Sequence, residues 1–198
     1  MPIVAIKYNK INMQIPTDEI VIAQTKKWIT DVVAGCGFCP FAAKELQRQT
    51  VHYEVLMEAE LELVLEAVMR LACQLDNDKE IATSLLIMPG SFKKFQDYLD
   101  LVDMAETLLI NEKYDGIYQL ASFHPEYLFA GTNSQDPSNY TNRSPYPMLH
   151  FLREEAVSKA VDGFPGIGQV PERNIRFAKD KGLFHMQQLL AACMVDGI

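Results

Sequence analysis

The sequence predicts an α/β fold: a small, mostly parallel sheet with crossover helices, plus N-terminal and C-terminal helices. Three observations carry this expectation. Residues 50–57 alternate apolar and polar side chains as a half-buried strand does, and residues 83–88 form a short apolar run closed by Pro89 and Gly90. The stretches after each run carry apolar stripes at helical spacing. The resulting order, strand, helix, strand, helix, strand, is that of parallel strands joined by crossovers. The 198 residues suit a single domain, with an α/β core at about 50–123, N-terminal helices at 17–48, a loop at 124–147 and C-terminal helices at 147–195.

Taken in order, Thr17, Asp18 and Glu19 open a helix whose apolar positions Val21, Ile22, Trp28, Ile29, Val32 and Val33 share one face, with Gly35 as its stop. The turn from Cys36 to Phe41 leads into a short helix through Arg48, with Pro40 at its first position and Cys39 at its N-cap. After the first strand, Leu61, Val64, Leu65, Val68, Leu71, Ala72 and Leu75 line one helix face. After the second, Ser91 caps a helix striped by Phe92, Phe95, Leu99, Val102, Ala105, Leu108 and Leu109. Gly116 reopens an extended segment over residues 117–123, and His124-Pro125 lies at its carboxyl end, where α/β sheets collect ligands. The stretch from Pro125 to Pro147 has no periodicity, and loops so long are often functional. Helices then follow from Pro147, broken at Gly163-Phe164-Pro165-Gly166, and over residues 170–181 and 183–195.

Eighteen Lys and Arg against 26 Asp and Glu give a formal charge of -8, which disfavours a nucleic-acid partner. The opening residues show no basic leader, and no apolar run reaches the roughly 20 residues of a membrane span. A cytoplasmic protein with no membrane partner is expected. Cys36, Cys39, Cys73 and Cys193 are too few and scattered for a disulfide scaffold and read as thiols.

Cys36-x-x-Cys39 has the spacing of a dithiol or half a metal site, yet no second pair accompanies it. Cys39 at a helix start would meet unpaired N–H groups that favour thiolate; otherwise it is a small side chain filling a turn. His124, oriented by Asn139 or Asn142, would supply its base. His150 and Glu154, four apart on the expected helix, would project from one face, either as a proton-transfer pair or as a plain surface contact, and with His124 they would also suit a divalent metal. Arg143, in a donor-rich loop, would hold a substrate anion or else tie the loop to itself, and Arg153 flanks His150 and Glu154.

At these residues the chain resembles a bacterial family, the domain-of-unknown-function 1415 family. The matching pieces are Cys39-Pro40-Phe41-Ala42, Ala121 to Pro125 with Tyr127 and Phe129 to Thr132, Asn139 through Pro147, Leu149-His150 with Leu152 to Glu155, and Glu172-Arg173-Asn174. The resemblance implies no activity. It supports treating Cys39, His124, Asn139, Asn142, Arg143, His150, Arg153 and Glu154 as one constellation.

The expectation is therefore a small-molecule enzyme with Cys39, His124, His150 and Glu154 as catalytic groups, and Asn139, Asn142, Arg143 and Arg153 holding an anionic small-molecule ligand. The alternative is a non-catalytic small-molecule or metal-binding module. The residues name no cofactor and no oligomeric state.

Overall fold

The computed structural model describes residues 16–163 and 166–194; the opening residues, the Phe164-Pro165 break and the expected helix end at Val195 lie outside them. Helix α1 (Asp18–Trp28) starts after Thr17 and passes into wider π-helical turns over Ile29–Ala34. Helix α2 (Ala42–Arg48), strand β1 (Val51–Val55), helix α3 (Leu61–Asn77) and strand β2 (Thr83–Ile87) follow the expected order. Next come α4 (Phe95–Asn111), β3 (Tyr118–Phe123), β4 (Met148–Arg153), α5 (Glu154–Gly163), α6 (Val170–Lys181) and α7 (Leu183–Ala191).

The α/β fold is as expected, but the sheet is mixed. Its order is β1-β2-β4-β3: β1 and β2 are parallel, whereas β4 runs antiparallel to both β2 and β3. The expected helix from Pro147 is instead this central strand, and helix begins only at Glu154. Its residues Met148, Leu149 and Phe151 are buried on both faces, so no polar alternation marks it as a strand. Two helix starts also shift. α4 begins at Phe95, and the Ser91 hydroxyl accepts from the Ala59 N–H instead of capping it. α2 begins at Ala42 with Phe41 at its N-cap, which leaves Cys39 outside the helix.

Side-chain alternation sorts the two sheet faces. Leu86, Leu120, Leu149 and Phe151 face α3 and α4, packing on Val68, Leu71, Leu75, Tyr98, Leu101 and Ala105. Leu85, Ile87 and Met148 face the other way, against Val21 and Trp28 of α1, Ile29 of the π-helical turns, and Ala178 and Met186 of α6 and α7. Tyr98 ties the first layer to the sheet, since its hydroxyl donates to the Met148 carbonyl at 2.8 Å and accepts from the Phe123 N–H at 3.0 Å. No described helix is long and apolar enough to cross a membrane.

Candidate functional site

The π-helical turns deliver the chain into the Cys36–Phe41 turn. A side chain at Gly35 would place Cβ 2.3 Å from the Asp31 carbonyl oxygen, so only glycine lets the wide turns close here. Gly37 then takes φ +69°, reversing the chain. The turn is fastened by α6: the Arg173 guanidinium donates to the Gly37 carbonyl, and Asn174 Nδ2 donates to the Phe38 carbonyl at 2.8 Å. Phe38 meets Phe177 edge to face at 5.7 Å. Cys39 is half-buried, and its N–H donates to the Val33 carbonyl at 3.3 Å. It stands three residues before a seven-residue helix, not at the N-cap expected of it. Cys36 is a free thiol too, and burial pushes its pKa up.

The loop from His124 to Pro147 is closed by its own polar groups. His124 is fully buried; Nε2–H donates to the Phe92 carbonyl at 2.9 Å, and Nδ1 accepts from the Glu126 N–H at 3.0 Å. Those partners assign a neutral ring, and burial lowers its pKa in the same sense. Phe92 has φ +52°, a strained setting for an aromatic residue, and His124 holds the carbonyl that this geometry presents. Asn139 is also fully buried: Oδ1 accepts from the Phe129 N–H at 3.0 Å and the Thr132 hydroxyl at 2.9 Å, and Nδ2 donates to the Asn133 carbonyl at 2.8 Å. Asn142 Nδ2 donates to the Ser122 carbonyl at 3.2 Å. Arg143 donates to the Tyr127 and Ser134 carbonyls, both at 3.2 Å, and lies 4.6 Å from the Tyr140 ring centre. Its own carbonyl accepts from the Trp28 indole at 3.1 Å, which joins the loop to α1.

The remaining candidates belong to β4 and its exit. His150 Nε2–H donates to the Thr83 hydroxyl at 2.6 Å, and that hydroxyl donates onward to the Phe151 carbonyl. Burial pushes the His150 pKa down to about 4. Because His150 is in the strand and Glu154 opens α5, the two do not share a helix face. Arg153 caps the end of α3, donating to the carbonyls of Leu75 at 2.7 Å, Asp78 at 3.0 Å and Ile81 at 2.8 Å.

The sheet itself parts the two central histidines. His124 packs on Phe95 and Tyr98 of the α4 layer, with ring centres 5.2 and 5.0 Å away. His150 lies on the opposite face, across from Leu85 and Ala121 and 6.2 Å from the Phe123 ring. His124, Asn139, Asn142 and Arg143 are thus gathered in one loop, and His150 lies on the sheet face opposite His124. Among the described residues no group of three or more His, Cys, Asp or Glu side chains is placed to hold a metal. Beside the loop, a cleft of about 270 Å³ opens between Pro125, Tyr140 and Pro145 on one side and Gln187, Leu190 and Met194 on the other.

The chain matches, over residues 20–188 of its 198, the family described as protein of unknown function (DUF1415). It belongs to that family. No curated protein and no solved structure matches it. Within the matched span, Arg173 and Asn174 of α6 hold the turn that leads into Cys39-Pro40-Phe41, through the Gly37 and Phe38 carbonyls. Reading the sequence for chemistry missed Arg173 and Asn174 as partners of the cysteine turn. Their signal was a charged and an amide residue opening a helix beyond the loop, with nothing to say what they reach.

Proposed function

We propose that this DUF1415 protein is a non-catalytic small-molecule-binding module whose ligand sits in the cleft between the 124–147 loop and α7. The observation that supports it most is the use to which the polar groups are put. Both imidazoles spend their Nε2–H on structural acceptors and are held neutral, and the loop amides and Arg143 are committed to backbone carbonyls and N–H groups. A thiol enzyme needs a base within hydrogen-bond reach of its sulfur, and proton transfer needs a group titrating near the working pH. A cleft walled by Tyr140, Pro125, Pro145, Leu190 and Met194 and backed by a self-braced loop is instead a preformed apolar surface.

Amide-shift mapping of the whole chain against a library of small aromatic and aliphatic acids tests this. Shifts are expected at Tyr140, Ser144, Gln187 and Met194, with the His150 ring unchanged between about pH 6 and about 8. Ligands that shift Cys39 and His124 together, or imidazoles that titrate as a coupled pair near neutrality, would overturn the binding-module reading and restore an enzyme centred on Cys39.

A further inference from the structure

The outward surface of α3 and α4 is unlike the rest of the fold's packing surface. The two helices carry seven carboxylates and one cation, Arg70, which is already paired with Glu54 of β1. Between them runs an open groove of about 470 Å³, floored by Leu65, Met104 and Leu108 and edged by Asp100, Asp103 and Thr107. Met104 is 45% exposed in this groove, where packing alone would favour a polar side chain. Among the described residues no ion pair engages an α4 carboxylate. Asp100 only accepts from Gln96 at 3.1 Å. The carboxyl of Glu106 has a raised pKa, from burial first and from Asp103 second, as crowded like charge requires.

From this groove we infer that the α3/α4 face docks a basic amphipathic helix supplied by a partner protein. The lining residues of α4, from Asp100 to Asn111, span about three helical turns, or roughly 16 Å, which is the footprint of one short helix. Apolar anchors at i, i+3 or i+4, and i+7 would seat on Leu65, Met104 and Leu108, and flanking Lys or Arg would meet Asp100 and Asp103. The sign of the rim selects this occupant. A second copy of the same face would oppose carboxylates to carboxylates, and an anionic lipid surface would repel it.

The probe is a fluorescent peptide of about 14 residues, leucines on one helical face and lysines on the other, titrated into the full chain. It should bind and become helical, and affinity should fall as salt rises. Met104→Glu, and separately Asp100→Lys with Asp103→Lys, should each weaken binding by about tenfold or more. Glu155→Lys with Asp162→Lys on the exposed α5 changes the net charge equally and should move affinity less than about twofold. All these positions are exposed, and Met104→Glu alone suffices if the paired lysines disturb the helix. Equal binding of a sequence-scrambled peptide, an equal loss in the α5 variant, or no binding at low salt would each overturn the proposal.

Discussion

The Cys36–Phe41 turn and the 124–147 loop are both irregular, both lie beside α6, and both carry residues whose chemistry invites a catalytic reading. They are held in opposite ways. The loop is tied mainly by its own side chains, with Asn139, Asn142 and Arg143 each bonded to carbonyls or N–H groups within about 20 residues, beside the longer-range bonds to Phe92 and Trp28. The turn borrows its fasteners from Arg173 and Asn174, 136 positions away along the chain. The difference teaches that a high density of polar side chains marks a segment that must satisfy its own backbone, whereas the sparse turn is the segment that depends on the rest of the fold.

The largest effect that would break this comparison is at Asn139. Asn139→Ala removes three hydrogen bonds from a fully buried side chain and should cost about 4 kcal/mol by denaturant unfolding. Amide exchange should rise around Phe129 and Thr132 while Cys39 stays protected; equal loosening of the turn would show that the two segments are not independent.

Next is pH. A histidine held at about 4 in the folded chain and near 6.5 when unfolded takes up its proton first in the unfolded state. Stability from His150 is therefore full above pH 6.5, falls as pH drops toward about 4, and levels off below, a total of about 3 kcal/mol. His150→Gln keeps a donor for Thr83 and should flatten that part of the profile. His124, lowered by the same cause, contributes in the same direction at the loop.

At the turn, Asn174→Ala leaves the Phe38 carbonyl without its donor and should cost about 2 kcal/mol, with faster iodoacetamide labelling of Cys39. If labelling is unchanged, α6 does not control the turn. The smallest effect is at the Lys179 to Asp136 pair, 3.7 Å apart and partly exposed, where Lys179→Ala should change stability by less than about 0.5 kcal/mol.

Much of the fold could be read from side-chain pattern. α6 falls over residues 170–181 as its polar and apolar spacing predicted, and β1 and β2 lie within the expected runs. β4 could not be read this way. Leu149, Leu152, Ala156 and Ala160 happen to fit a helical stripe, and the strand forms because Thr83 to Ile87 and Tyr118 to Phe123 both offer it ladders. That single substitution of strand for helix took His150 and Glu154 off a common helix face and put His150 on the other side of the sheet from His124. For the candidate site, the tie-forming alternative for Arg143 was legible in its loop composition. The link from Arg173 and Asn174 to the cysteine turn was not, because hydrogen bonds to backbone carbonyls leave no mark on the residues that receive them.

The antiparallel strand in the centre of the sheet also orders events during synthesis. Until residues 148–153 have left the ribosome, β2 and β3 each present an open ladder edge, and neither can close on the other in the native arrangement. Newly made chains thus pass through a stage with two sticky margins, shielded only when the late-arriving segment slides between them.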